Sequence, residues 1–334
     1  MIEFNYNKRI LMDNKAKKIK ISFSLDKRIF CLYCALVSCN IHEKFKKNLS
    51  KSNFYKELQS HFQHLKLSSR KKLELFFNRN HYFQYLCWVL RHSDFPEFKL
   101  RTRNKDSLQK PDSWFDGFDE VLRRFYKEAE IKKLWERSKP KYQKIIFLYQ
   151  EETEKKILEV IRRVREKKIK LYFNEIVLIP NLLEAIGVGF APMIPPRAYI
   201  IFGPSTKKVN TSLIIHEFLH HLINPLLEEK EIKKKLIIFR KKYFSFTTPL
   251  SRKFYPKWSW IASEYFVRAF QATLIQNKIE REKFLKMEEK QGFPKIKWFF
   301  YCFQKFKHRD SMRKQIIEIL DELSKSKNLG LTED

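Results

Sequence analysis

The sequence predicts a mainly α protein carrying one small β-sheet, an α+β chain with a helical N-terminal part, and three observations lead there. Glycine is scarce, 6 in 334 residues, and proline modest at 12, so a turn-rich sandwich would lack its turn formers. Apolar residues recur at three- and four-residue spacing, with charges between them, over residues 53–66, 70–92, 113–137 and 141–167. After Lys170 the character changes to β-favouring runs, Leu171-Tyr172-Phe173, Ile176-Val177-Leu178-Ile179 and Tyr199-Ile200-Ile201-Phe202. The length suits one large or two ordinary domains, and this change divides the chain into a helical region, 1–168, and a mixed region, 169–334.

Residues 18–25, KIKISFSL, alternate like a short strand, and Asp26 is placed to cap a helix running to about Cys39. Helical breaks are expected in the polar stretch His92–Asp112 and at Ser138-Lys139-Pro140, where Pro140 can open a new helix because the first turn has no use for its missing amide. Gly187 to Gly189 marks a turn, and Gly203-Pro204 ends the last strand. After a loop over Pro204–Asn210, Asn210 or Thr211 caps a helix expected to stop at Asn224, with Pro225 starting another to about Lys242. A loop over Phe244–Lys257 leads to a helix from about Trp258 to Gln276. Two more follow over Lys295–Lys307 and Ser311–Lys325, before a frayed tail, Ser326–Asp334.

Lys and Arg number 69 against 38 acidic residues, a net charge of +31. Such an excess attracts polyanions. The lysines are nevertheless spread along the chain as solvated helix faces, and no nucleic-acid motif is present, so a nucleic-acid partner is the lesser expectation. The cysteines, Cys31, Cys34, Cys39, Cys87 and Cys302, are odd in number and lie in apolar stretches, which suits reduced buried thiols and a cytoplasmic location. Cys31 and Cys34 form a CxxC without the second pair that a cysteine zinc site wants. The longest uncharged apolar run, Ile29–Ile41, is shorter than the roughly 20 residues of a spanning helix, so no membrane span is expected.

Residues Thr211–Pro225 read TSLIIHEFLHHLINP and contain an HExxH sequence, His216-Glu217-Phe218-Leu219-His220. With 9 His among 334 residues, this composition yields such a pattern by accident only about 0.02 times. At 100° per residue Ile214, Ile215, Phe218, Leu219, Leu222 and Ile223 occupy one side of a helix, while His216, Glu217 and His220 share the opposite arc. Imidazoles at i and i+4 can both reach one zinc ion at roughly 2.0–2.1 Å. Beside them the Glu217 carboxylate can act as general base toward a water that the metal activates.

A catalytic zinc usually has three protein ligands. The metzincin extension is excluded, because the positions that need Gly and His hold Ile223 and Leu226. His221 is rotated by about 100° from His220 and is expected at the rim. His61, His64, His81 and His92 lie in the helical segments and are expected to be ordinary surface or hydrogen-bonded histidines. The third ligand is expected at Glu264, the only acidic residue in WSWIASEYFVRAFQATLIQ, where a buried carboxylate requires a metal or a cation. Arg268, at i+4, is placed to hold that carboxylate, and a plain ion pair between the two is the alternative.

HExxH on one helix and a Glu on a following one resembles the gluzincin group, the thermolysin-like zinc metallopeptidases. More narrowly, HEFLHHLINP with the later SEYFVRA looks like an uncharacterised family of bacterial and archaeal metallopeptidases. The resemblance covers residues 198–275, and the NExxSD pattern of thermolysin-like enzymes is absent around Glu264. It implies a zincin-like core, one Zn2+ per chain held by His216, His220 and Glu264, hydrolysis of a peptide or protein substrate, and a strand Tyr199-Ile200-Ile201-Phe202 serving as the cleft edge on which extended peptide pairs. Donors expected near the oxyanion are Tyr255, Tyr265, Arg268 and His221. The reading from another class is a basic helical scaffold that binds nucleic acid or a protein partner and keeps a structural or vestigial metal site.

Overall fold

The structure, a computed structural model, describes residues 9–10, 19–41, 50–79, 82–101, 112–205, 210–241, 246–255 and 257–325. His81, the tail 326–334, residues 102–111 of the polar break and residues 206–209 before the histidine helix lie outside the described residues. The mainly helical chain with a small mixed sheet is the architecture observed. It divides into two compact units, residues 1–154 with 172–217 and residues 155–171 with 218–334. The sheet therefore shares a unit with the N-terminal helices, an arrangement that the sequence division at 168 does not anticipate.

The first unit is built round α1 (Lys27–Ser38), buried from Ile29 to Ser38. Asp26 caps it, its carboxylate accepting from the amides of Arg28 and Ile29 at 2.9 and 3.2 Å. Helices α2 (Asn53–Gln63), α3 (Arg70–Arg79), α4 (Tyr82–Leu90) and α5 (Phe118–Glu128) pack round it, which is why its sequence is apolar on every side. Cys31, Cys34, Cys39 and Cys87 are buried here and form no disulfide. The expected helix over 113–137 is interrupted where Gly117 takes a left-handed φ of 78° and caps α5, and again at Glu130, φ 46°. Pro140 starts no helix. It lies inside the 36-residue α6 (Ile131–Glu166). An interior proline costs about 3 kcal/mol, and the burial of Leu134, Trp135, Tyr142 and Ile146 on both sides of it offsets that cost.

The sheet comprises β1 (Arg9–Ile10), β2 (Lys20–Phe23), β3 (Glu175–Pro180), β4 (Gly189–Phe190), β5 (Met193–Ile194) and β6 (Arg197–Phe202), in the order β1-β2-β3-β6-β4, with β5 also on β6. β2, β3 and β6 run parallel, in register Ser22 to Val177 and Val177 to Tyr199. Burial on both faces accounts for the unbroken apolar runs in β3 and β6. Leu171-Tyr172-Phe173 forms no strand.

One expectation is corrected outright. Strand β6, which contains Tyr199, Ile200, Ile201 and Phe202, is not an edge: β3 flanks it on one side, β4 and β5 on the other. The segment 189–194 takes that outer position, antiparallel to β6, and Pro192, which has no amide, still accepts from the Tyr199 amide at 2.9 Å. Prolines at 192, 195 and 196 hid this strand from the sequence pattern.

Helix α7 (Thr211–Leu227) follows, capped by Asn210, whose side chain accepts from the Leu213 amide at 3.2 Å. It passes through Pro225 without a break because Leu226 and Leu227 remain buried beyond it. The second unit contains α8 (Lys230–Lys241), α9 (Pro249–Phe254), α10 (Trp258–Leu274), α11 (Lys278–Lys290), α12 (Ile296–Lys305) and α13 (Met312–Lys325). At its centre α10 packs on α8, α11 and α12 through rings of Phe239, Tyr265, Phe266, Phe293 and Phe299. Among the described residues no helix is long and apolar enough to cross a membrane.

His92 gives the first unit a pH dependence. Burial lowers its pKa from 6.5 to about 4, although its Nδ1 bonds the Trp88 carbonyl at 2.9 Å. Between those values the unfolded chain binds the extra proton and the folded chain does not, so stability falls as pH falls through that window. Between pH 7 and pH 5 the wild type is expected to lose about 1–2 kcal/mol more than His92→Gln in urea unfolding; equal losses would contradict it.

Candidate metal centre

Glu264 lies midway along α10, buried in a helix otherwise chosen for packing. Its two oxygens are divided. Oε2 accepts from Arg268 Nε at 2.9 Å, one helical turn on, and Oε1 lies 3.3 Å from Nε2 of His220. His216 stands one turn before His220 on α7, and the ligand atoms of His216, His220 and Glu264 all lie within 4.8 Å of one another. Glu217, buried, points its side chain toward β4, where Gly189 approaches it.

The far nitrogen of His220 has its own support. Nδ1 is 3.2 Å from Ser263 Oγ and 3.4 Å from Asn224 Oδ1, and Ser263 donates to Asn224 Oδ1 at 2.5 Å. With the serine proton directed to Asn224, Ser263 is left as an acceptor, so the imidazole proton belongs on Nδ1. Nε2 then presents a lone pair to a carboxylate oxygen, an arrangement that calls for a cation or a second proton between them.

Arg268 is the hub of the supporting shell. Besides Glu264 it donates to Glu288 of α11, approaches the Tyr255 hydroxyl at 3.5 Å, and stacks its guanidinium 4.3 Å from the Phe293 ring centre. Burial opposes its charge, but the Glu264 carboxylate, with Tyr255 and Glu288, outweighs that and raises its pKa. Burial raises the Glu288 pKa, and Arg268 pulls it back. Two buried carboxylates thus share one guanidinium.

Other expected site residues fall elsewhere. His221 is 4% exposed and so is buried, not at a rim, one helical turn after Glu217. The Tyr265 hydroxyl is fully engaged: it donates to the Phe246 carbonyl at 2.9 Å and accepts from the Lys295 amide at 3.2 Å. Burial also pushes its pKa up. It braces α10. Tyr255, half-buried at the end of α9, remains next to Arg268.

Sequence reasoning missed Asn224, Ser263, Glu288 and Gly189. Asn224 is at i+4 from His220, a spacing that points to it, but reading Asn224-Pro225 as a helix break hid it. Glu288, within Glu288-Glu289-Lys290, looks like a solvated face and carries no signal. Comparison with protein-family models, curated proteins and solved structures gave no match.

Removing the hub leaves two buried carboxylates without their cation. Arg268→Ala is expected to lower the unfolding free energy by about 3–5 kcal/mol in urea titration, with part of the loss recovered by adding Glu288→Gln. A loss below about 1 kcal/mol would show the cluster to be solvated.

Proposed function

We propose that the protein is a zinc-dependent peptidase of the gluzincin kind, with one Zn2+ held by His216, His220 and Glu264 and with Glu217 as general base. The observation that carries this reading is the 3.3 Å between His220 Nε2 and Glu264 Oε1, on a ring whose Nδ1 is already committed. Two ligands each 2.0–2.1 Å from a tetrahedral ion stand about 3.3–3.4 Å apart. The donor set, two imidazoles and a carboxylate, is that of a catalytic zinc with a place left for water. The substrate class rests on the HEFLHHLINP and SEYFVRA resemblance.

Bound zinc supplies the Lewis acid that acidifies water and polarises the scissile carbonyl. Glu217 takes the proton of the attacking water and returns it to the leaving amine, its position on α7 next to His216 keeping it close to the reacting atoms without being a ligand. Arg268 holds Glu264 by one oxygen so that the other is available, and the Ser263–Asn224 pair holds His220 in the tautomer whose Nε2 can ligate. Of the four expected oxyanion donors, Tyr265 is committed to the Phe246 carbonyl and the Lys295 amide and Arg268 to two carboxylates; of Tyr255 and His221 we assign Tyr255, whose hydroxyl lies beside Arg268.

Elemental analysis of purified protein is expected to give about one zinc per chain. Glu217→Gln should keep the metal and lower kcat on quenched-fluorescent peptides by about 10²–10⁴-fold. Ser263→Ala should weaken zinc about tenfold in chelator competition with helicity unchanged. A metal-free protein, or cleavage indifferent to Glu217→Gln, overturns the peptidase; steeply salt-dependent binding of nucleic acid by such a protein would favour the basic scaffold instead.

A further inference from the structure

Gly189, in β4, is a glycine whose backbone does not need one. Among the described residues the glycines with left-handed φ are Gly117, Gly187 and Gly292, whereas at 189 an L-residue meets no conformational penalty. The reason for the missing side chain is space, and the space belongs to one residue. A Cβ on Gly189 would lie 2.7 Å from Cγ, 3.0 Å from Oε1 and 3.1 Å from Cδ of Glu217, its three nearest neighbours. Carbon atoms in contact stand about 3.5–4.0 Å apart, so close to 1 Å must be yielded by one side.

The strand cannot be the side that yields. Gly189 pairs with Phe202 on β6, the Gly203 amide donates to the Val188 carbonyl at 2.7 Å, and the Gly187 amide to the Pro204 carbonyl at 3.1 Å. At Gly203 a Cβ would meet main chain, the Ala185 and Val188 carbonyl oxygens at 2.5 and 2.9 Å, so that junction is locked backbone against backbone. Behind it Glu184, fully buried, accepts from the Ala185 amide and from the Tyr33 hydroxyl, both at 2.7 Å. Any side chain at 189 therefore displaces Glu217.

We propose that Gly189 is the positioning residue of Glu217: the bare, anchored main chain of β4 is the wall against which that carboxylate is set. This rests on Glu217 being the general base. A misplacement of about 1 Å at a reacting group can cost on the order of 10²-fold in rate.

The test is Gly189→Ala in the zinc-loaded full chain. Its crystal structure is expected to show the Glu217 carboxylate moved by about 1 Å or more, with His216 and His220 in place. About one zinc should remain per chain, and kcat should fall about 10- to 100-fold with KM within about twofold. A methyl group accommodated with Glu217 unmoved, or an unchanged kcat, overturns the inference. If Gly189→Ala fails to fold, Gly189→Ala in a Glu217→Ala background decides: recovered folding supports the shared space, continued failure refutes it. Should wild-type protein cleave no peptide, the peptidase reading fails on its own, and the crystallographic displacement still judges the contact.

Discussion

A carboxylate set among aromatic and aliphatic side chains is costly unless charge or hydrogen bonds meet it, and Glu264 is such a carboxylate. Arg268 satisfies one of its oxygens and His220 faces the other. Arg268 is itself drawn into the core by Glu288 and by the Phe293 ring, so α10 and α11 are tied through one guanidinium. The rest of the second unit is arranged to hold α10: Tyr265, at the next position, uses its hydroxyl to bridge the Phe246 carbonyl and the Lys295 amide.

Helix α7 carries two jobs on two faces. Its apolar side, with Ile214, Phe218, Leu222 and Leu226, is buried, and its opposite arc presents His216 and His220 half-buried. The continuation through Pro225 matters chemically as well as structurally, because it keeps Asn224 one turn from His220 and within reach of Ser263. An imidazole is directed as much by what its remote nitrogen bonds as by what the near one faces.

The high positive charge is largely separate from this centre. Many lysines make exposed pairs such as Lys133 with Glu130 and Lys141 with Glu57, and exposed pairs of this kind contribute little to stability. The centre depends on a few buried charges, the fold on its aromatic and aliphatic cores.

The helical class, the Asp26 cap, a cap at Asn210 or Thr211 and the pairing of Glu264 with Arg268 were legible in the sequence, because each depends on local periodicity or on one polar residue standing out in an apolar run. HExxH was legible for the same reason: a helix places i and i+4 together whatever surrounds it. Pro140 and Pro225 were misread as boundaries, since burial on either side of a proline can outweigh its lost hydrogen bond and only packing reveals that burial. The pairing of β4 and β5 on β6, the Ser263–Asn224 support of His220 and the bond of Glu288 to Arg268 depend on tertiary contacts that no spacing rule encodes. The amino-acid order by itself determined where imidazoles and carboxylates stand at helical spacing in apolar surroundings. Tertiary structure alone decided which of them meet, because bringing His220 Nε2 to Glu264 Oε1, and Gly189 against Glu217, takes contacts from chain segments far apart along the sequence.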